Sequence, residues 1–283
     1  KSYMKINSFE ENLHSFTHWR EQMMQAIEMY HAWREQYGLS DVSGTSSLLS
    51  VMQGLMADRI TLAFVAEFSR GKTELINALF FSETGVRLLP SSPGRTTMCP
   101  TEMFYDGNGG SYIRLLDIDS RLEDVSFDTL KENKDRWVNI DLDGDSPTQM
   151  QTAFKELLAV KQVSKNEAIE LGLFNEEEYA KSPGEATDTF EIPRWRHALI
   201  SFPHPLFKKG LTILDTPGLN ALGSEPELTL SMLPSAQAIV FVIAADTGVT
   251  KSDMGIWCDH IAKTSKQGRA VVLNKIDTFW DDI

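Results

Sequence analysis

Residues 66–73 read Ala-Glu-Phe-Ser-Arg-Gly-Lys-Thr, and they follow the apolar run Ile60-Thr-Leu-Ala-Phe-Val-Ala66. That run is rich in β-forming residues, whereas Lys72 to Phe81 has the pattern of a helix. The octapeptide matches the phosphate-binding pattern G-x-x-x-x-G-K-[ST] at each fixed position except the first, where Ala66 stands for glycine. Its place between a predicted strand and a predicted helix is the context that this pattern requires.

The loop predicts a site for nucleotide phosphates. Successive backbone N–H groups and the start of the helix are expected to surround the α- and β-phosphates, with Lys72 reaching the β- and γ-phosphates. The hydroxyl of Thr73 is expected to ligate Mg²⁺. The alternative is a strand-to-helix turn that happens to contain Gly-Lys-Thr. The predicted nucleotide-binding residues here are Glu67, Phe68, Ser69, Arg70, Gly71, Lys72, Thr73 and Glu74.

Two further motifs follow apolar strands downstream. Asp215-Thr-Pro-Gly218 fits D-x-x-G, whose carboxylate lies near Mg²⁺ and whose glycine N–H faces the γ-phosphate, although the same letters also form common turns. Asn274-Lys275-Ile276-Asp277 fits N-K-x-D. Asp277 is expected to accept from N1–H and the exocyclic amine of guanine, a donor pair that adenine lacks. The ordered motifs predict a protein that binds GTP and GDP with Mg²⁺.

A Pro-, Gly- and Ser-rich loop precedes the predicted strand Thr101–Tyr105, which we expect at a sheet edge. The loop contains Gly94-Arg-Thr-Thr97. A threonine there can add a second hydroxyl to Mg²⁺ and order the loop in the triphosphate state, so Thr97 is a predicted metal ligand. The alternative is a loop with incidental threonines.

Charge and cysteine content limit the possible partners and compartment. The formal net charge is -13, which argues against nucleic acid as a partner because such proteins need basic surface to neutralise phosphates. Only Cys99 and Cys258 are present, too few for a secreted disulfide framework, so we expect a cytoplasmic protein.

The alternation of elements predicts an α/β fold with a mostly parallel central sheet. Residues 1–58 carry two amphipathic helices, one ending near Gly38 and one over roughly Ser46–Asp58, which either pack as ordinary core or form part of a helical bundle. Residues 59–283 form the nucleotide-binding domain, which we expect to be truncated after the N-K-x-D motif. Residues 117–188 are polar, acidic and mostly helical in tendency, and we expect a surface insertion there.

The motifs together resemble those of bacterial dynamin-like proteins. The resemblance rests on Glu67-Phe-Ser-x-Gly-Lys-Thr73, on the following Leu75-Ile-Asn-Ala-Leu79, and on Thr97-x-x-Pro-Thr-Glu102. It covers roughly Ile60 to Asp277 and is absent from the insertion. It implies a P-loop GTPase fold flanked by helices of a bundle, and GTP hydrolysis stimulated by self-association across the nucleotide face.

The resemblance also implies roles for individual residues. Leu219 follows the D-x-x-G motif, so no glutamine stands there to orient the attacking water. By similarity that task falls on Ser69 and the backbone of Thr97, which join Lys72 as predicted catalytic residues. Arg70 either supplies in cis the charge of an arginine finger or is a solvated surface residue.

The family also implies membrane contact through a region absent here, so the inner face of the membrane is a second expected location. The competing hypothesis is a GTP-binding switch or scaffold that hydrolyses little and acts on a protein complex.

Overall fold

The computed structural model describes residues 9–39, 52, 55, 59–90, 99–173, 189–217, 232–263 and 268–282. The chain divides into two compact units, Lys1–Arg59 and Ile60–Ile283. The first unit contains the long helix α1, Phe9–Gln36. Of the predicted second helix, residues 52 and 55 lie within the described part of the chain, and both are helical.

Helix α1 ends where its sequence predicts. Gly38 takes a φ of 63°, and the guanidinium of Arg34 in the last turn donates to the carbonyl of Leu39 at 3.0 Å. Large apolar side chains along the helix are exposed within this structure, namely Phe16, Trp19, Tyr30, Trp33 and Tyr37. Among the described residues, no helix combines the length and apolarity that crossing a bilayer would require.

The second unit is built on a mixed sheet. Within the described residues, eight strands pair in the order β10-β9-β1-β8-β2-β7-β3-β4, and β5 pairs with β6 in a separate ribbon. The pairs from β10 through β9 and β1 to β8 are parallel, whereas β2 is antiparallel to β8. The strands are β1 Ile60–Ala66, β2 Thr101–Phe104, β3 Tyr112–Asp117, β4 Trp137–Asp141, β5 Val160–Ser164, β6 Thr189–Pro193, β7 Trp195–Ser201, β8 Leu211–Asp215, β9 Ala238–Ala244 and β10 Gly268–Asn274.

Helices connect these strands, and several of them are capped by nearby polar side chains. Ser146 accepts from the N–H of Gln149 at the start of α4, and Thr250 forms a capping box with Asp253 at the start of α7. The π-helical turn Trp257–Ile261 follows α7 directly. The helices are α2 Lys72–Phe80, α3 Phe127–Glu132, α4 Pro147–Lys155, α5 Lys165–Glu170, α6 Pro205–Lys208 and α7 Lys251–Ile256.

The central strands are buried on both faces, which explains their continuous apolar runs. In β1 the last four residues, Ala63 to Ala66, are each buried, and every residue of β8 is buried. Phe64, Ile76 of α2 and Ile213 belong to one apolar cluster on one side of the sheet. Val65 and Leu214 pack into a second cluster with Ile239 and Ile256. The sheet therefore fixes the loops at its carboxyl edge.

The segment 117–188 departs from the sequence-based expectation. It was expected to be a mostly helical surface insertion, yet β4 pairs with β3 in the main sheet. Helix α4 buries Phe154 completely in the main core, where it contacts Phe81 edge-on with ring centroids 5.9 Å apart. The prediction of a surface position failed because α4 is short and its three buried residues are diluted by polar neighbours.

Two smaller differences concern strands. Strand β5 lies within the segment that was expected to be mostly helical, and its partner β6 follows that segment directly. Residues 174–188 lie outside the described part of the chain. Strand β2, expected at an edge, lies between β8 and β7. Its register places Thr101 directly opposite Asp215. Thr101, which follows the loop that contains Thr97, therefore pairs with the strand that carries the D-x-x-G motif.

Candidate functional site

The phosphate loop runs from the end of β1 to the start of α2. Ala66 is the last residue of β1, is fully buried and pairs with Val242 of β9. Positive φ values fall instead on Ser69 at 63° and Gly71 at 80°. Ala66 therefore occupies ordinary strand backbone, and its replacement of the first glycine does not force a strained conformation.

Lys72 of the phosphate loop and Asp215 of the D-x-x-G motif contact each other. Lys72 Nζ donates to Asp215 Oδ1 and to the carbonyl of Thr216. Lys72 and Asp215 are 7% and 1% exposed, so this is a buried ion pair in which each charge compensates the other. Thr216 Oγ1 donates to the carbonyl of Phe64 at 2.9 Å, which holds the end of β8 against β1.

The N-K-x-D motif contacts the phosphate loop from the other side. Asn274 Nδ2 donates to the carbonyl of Arg70 at 3.0 Å. A Cβ atom added to Gly71 would lie 2.5 Å from this same Nδ2 atom, so the two loops approach as closely as a glycine permits. The predicted base-binding and phosphate-binding segments thus meet at one edge of the sheet.

Two other residues of the N-K-x-D motif, Lys275 and Asp277, were predicted to bind the base. They lie in different surroundings. Lys275, at a φ of 57°, donates through Nζ to Asp246 Oδ2 at 2.9 Å. That hydrogen bond holds the pKa of Asp246 below its ordinary value. Asp277 is exposed, in the 3₁₀ turn that follows β10. An exposed carboxylate can accept hydrogen bonds from a ligand, and the contact of Asp277 with guanine stays a prediction.

Arg70 is only 5% exposed, so the interpretation of this residue as a solvated surface arginine is wrong. Its Nη2 atom donates to Glu67 Oε2 at 2.6 Å and to Asp253 Oδ2 at 2.9 Å. Its Nη1 atom donates to Thr247 Oγ1. The guanidinium is therefore held by two carboxylates and a hydroxyl.

The other predicted site residues are divided by burial. Thr73 is buried at the start of α2, whereas Phe68 and Ser69 are exposed on the loop. Glu74 pairs through Oε2 with Arg87 Nη2 at 2.8 Å, and its contact with a nucleotide stays a prediction. The predicted residues Thr97 and Gly218 lie outside the described part of the chain.

Sequence reasoning missed the residues of the loop after β9. Asp246, Thr247, Thr250 and Asp253 contact Arg70 or Lys275, and none of them belongs to a recognised motif. The available signal was the capping-box spacing of Thr250 and Asp253, which marks the start of α7. No pattern in the sequence indicates that the Asp253 carboxylate also contacts Arg70.

A second missed residue anchors the segment after α2. Asn77, on the buried side of α2, donates through Nδ2 to the carbonyl of Leu89 and accepts at Oδ1 from the Leu89 N–H, both at 2.9 Å. This pair of hydrogen bonds fixes the chain just before residues 91–98, which include Thr97. Asn77 thus sets the departure point of the loop that carries the predicted second hydroxyl.

An ionic cluster forms around Glu102 of β2. Glu102 Oε1 accepts from His197 Nε2 at 3.1 Å and from Lys131 Nζ of α3. Burial tends to raise the pKa of Glu102, but the hydrogen bond and charge of His197 together with Lys131 outweigh it and bring the pKa to about 2. Burial also lowers the pKa of His197, which is fully enclosed. Glu102 is therefore a structural anion that links β2 to the segment 117–188.

Comparisons with known proteins place the chain in a family. The model of the Dynamin family matches residues 62–276, well over half of the chain. A curated "Bacterial dynamin-like protein" from Nostoc punctiforme is 28% identical over 92 residues, which are 32% of this chain and 13% of that protein.

Two solved structures of an oligomerised bacterial dynamin pair, described as sensing and tethering membranes over long range, also match. One is 16% identical with a TM-score of 0.43 and covers 93% of this chain and 37% of the other; the second is 17% identical with a TM-score of 0.42 and covers 93% and 36%. This chain thus spans well under half the length of the relatives that it matches. On the family match and the motifs that it spans, the chain belongs to the dynamin family.

Proposed function

We propose that this chain binds GTP together with Mg²⁺ and hydrolyses it to GDP and phosphate. The observation that carries the proposal is the meeting of three sequence motifs at one edge of the sheet. Lys72 contacts Asp215, and Asn274 contacts the carbonyl of Arg70. These residues come from loops that are far apart in sequence, and a chance strand-to-helix turn would not require any of those contacts.

Each described residue has a defined task in this proposal. The N–H groups between Ser69 and Thr73, at the amino end of α2, bind the α- and β-phosphate oxygens, because a helix start carries unpaired donors and a partial positive charge. Lys72 provides a mobile positive charge for the β- and γ-phosphates, which a phosphate can take over from Asp215. Asp277 reads guanine, with Asn274 holding the base loop against the phosphate loop.

The donor set fits Mg²⁺. Among the described residues, no cluster of three His, Cys, Asp or Glu side chains forms a cage that would hold a metal by protein ligands alone. Mg²⁺ in nucleotide sites is bound by one or two protein oxygens with phosphates and waters, and Asp215 and Thr73 supply such oxygens at the ends of β8 and the phosphate loop. When bound, Mg²⁺ would neutralise charge on the phosphates. Thr97 remains a proposed second hydroxyl.

Ser69 is proposed to orient the attacking water together with the backbone of Thr97. Its exposure on the loop leaves its hydroxyl accessible, and its φ of 63° holds it in a sparsely populated conformation of the kind found at active sites. The competing proposal is a GTP-dependent switch or scaffold with little hydrolysis. Ala66 gives no reason to prefer it, because that residue lies in regular strand backbone.

Family membership supports further proposals about the complete protein. We propose that it self-associates through the nucleotide face, which would raise its turnover. We also propose a cytoplasmic location, with peripheral membrane contact made by a part of the protein beyond the two units described. Oligomerisation and membrane tethering are described for the solved bacterial dynamin pair, and they are proposals for this chain.

The test is phosphate release from GTP and from ATP with Mg²⁺, over a range of concentrations of the complete protein. GTP-specific turnover whose specific rate rises with concentration supports the GTPase and its self-association. Tight GTP binding with negligible turnover at every concentration supports the switch, and equal use of ATP contradicts the role of Asp277. Flotation with anionic liposomes separates membrane binding from action on a protein complex.

Lys72→Ala is the matched variant for the same assay. It removes the charge that bridges the phosphate site and should reduce turnover to background. Lys263→Ala is the control, because it removes an exposed lysine that pairs with the exposed Asp259 at 3.3 Å. Undiminished GTP turnover in Lys72→Ala would refute the proposal.

A further inference from the structure

The connection from β9 into the first turn of α7, residues 245–253, contacts both nucleotide-side loops. The Ala245 N–H donates to the carbonyl of Asn274 at 2.8 Å, and Asp246 accepts from Lys275 at 2.9 Å. At its other end the loop meets Arg70 through Thr247 and Asp253. One connection therefore touches the base-side motif and the phosphate loop.

Asp253 is the buried centre of the contact with the phosphate loop. It is fully enclosed, and its Oδ2 atom accepts from Arg70 Nη2 at 2.9 Å, from the Thr250 N–H at 2.9 Å and from Thr250 Oγ1 at 2.9 Å. Thr250 Oγ1 also lies 3.1 Å from Glu67 Oε2. Arg70 and Asp253 are 183 positions apart in sequence, so their contact is a tertiary link between two separate elements.

The backbone around Arg70 needs such a link. Arg70 lies between two residues with positive φ, Ser69 at 63° and Gly71 at 80°. A positive φ is disfavoured for Ser69, because it has a Cβ atom, and persists only when the surroundings hold it. Arg70 is held at two points. Asn274 binds its carbonyl, and Glu67 and Asp253 bind its side chain.

We propose that Asp253, with Glu67 and Thr250, is a positioning residue that acts through Arg70 to hold the phosphate loop in its binding conformation. This replaces the cis arginine finger that the sequence suggested for Arg70, since two carboxylates already neutralise its charge. The proposal rests on the proposed nucleotide function for its ligand but not for its structural part. It predicts that the affinity for a phosphate-bearing ligand depends on the Asp253 carboxylate, although this carboxylate does not contact the nucleotide. The order of the phosphate loop should depend on the same carboxylate.

The first measurement is affinity for a fluorescent GDP analogue with Mg²⁺, using the complete protein and its Asp253→Asn variant. Affinity should fall by about tenfold or more, the loss that corresponds to one charged hydrogen bond. Asp259→Asn is the matched control, because Asp259 is an exposed aspartate in the adjoining π-helical turn. The turnover number at saturating GTP should change less than the affinity.

Amide hydrogen exchange of residues 68–72 provides a readout that does not require a nucleotide. Exchange should be faster in Asp253→Asn than in the wild type and unchanged in Asp259→Asn. If Asp253→Asn fails to fold, Thr250→Val removes one hydroxyl from the same cluster and should give the same two effects in weaker form. Ser69→Gly removes the backbone penalty at the loop and should partly restore GDP affinity to Asp253→Asn.

Two results would overturn the proposal. One is unchanged GDP affinity and unchanged exchange in folded Asp253→Asn or Thr250→Val. The other is a variant Arg70→Ala that loses turnover at undiminished GDP affinity, as an arginine finger would. Failure of the wild-type protein to bind GDP would refute the proposed function instead, while the exchange measurement would still decide whether Asp253 holds the loop.

Discussion

Gly71→Ala adds one methyl group at the point where the two nucleotide-side loops touch. The new Cβ atom would lie 2.5 Å from Asn274 Nδ2, a distance that real Cβ contacts do not reach. Asn274 cannot yield without cost, because the same Nδ2 atom donates to the carbonyl of Arg70 at 3.0 Å. The substitution therefore combines a strained backbone with the loss of a hydrogen bond between loops.

The expected cost has two parts. A residue with a Cβ atom at the φ of 80° found at Gly71 costs about 1–2 kcal/mol. Losing the Asn274 hydrogen bond adds about 0.5–1.5 kcal/mol. Together they should lower the free energy of unfolding by roughly 1.5–3.5 kcal/mol. If the native loop is needed for binding, GDP affinity should fall roughly 10- to 400-fold.

Gly110→Ala separates the two parts. Gly110 has a φ of 76° in the turn between β2 and β3, and an added Cβ would meet nothing within 4 Å. Urea unfolding should show the backbone penalty alone for Gly110→Ala, with unchanged GDP affinity, and a larger loss for Gly71→Ala. Equal unfolding free energies in the two variants, with normal GDP affinity in Gly71→Ala, would show that the close approach to Asn274 has no energetic consequence.

Three other predictions concern the framework. Asn77→Ala leaves two backbone groups without their partner and should lower the free energy of unfolding by about 2–4 kcal/mol, whereas exposed Asn139→Ala should have little effect in the same urea titration. Phe154→Ala should cost about 3–5 kcal/mol if α4 belongs to the main core, against well under 1 kcal/mol for the exposed Ile169→Ala. Because Glu102 has a folded pKa of about 2 against an ordinary 4.5, its stabilisation is complete above pH 4.5 and is lost as the pH falls towards 2. Unfolding measured across that range should show a gap on the order of 3 kcal/mol between wild type and Glu102→Gln that closes with acid, and a constant gap would contradict this role.

The sequence was most informative where chemistry restricts the residue type. The loop 66–73, the strand before it and the N-K-x-D motif could be located because a phosphate site demands glycine, lysine and a hydroxyl at fixed spacing. Long apolar strands such as β1 and β9 were equally clear, since burial on both faces leaves uninterrupted runs. Family membership then followed from motifs within residues 62–276.

Tertiary contacts explain what could not be predicted. The burial of α4 depends on three apolar residues in nine, a signal too weak to separate core from surface. The contact between Arg70 and Asp253 requires knowing that the loop after β9 turns back onto the phosphate loop, and no spacing rule encodes that. Strand β2 pairs with β7 on one side and β8 on the other, but its four residues would fit an edge or an interior strand equally well.

The order of the strands also bears on how this chain is made. Strand β1 is synthesised early, yet its partners β8 and β9 begin at Leu211 and Ala238, so its pairing must wait for most of the domain. Such non-local pairing makes folding slow and leaves apolar strand edges open to aggregation during synthesis. A nucleotide would bind only after β10 has joined the sheet and brought Asn274 to the phosphate loop. If the chain binds GTP as proposed, cellular GTP should act by mass action on the last step of folding and draw nascent chains towards the completed domain.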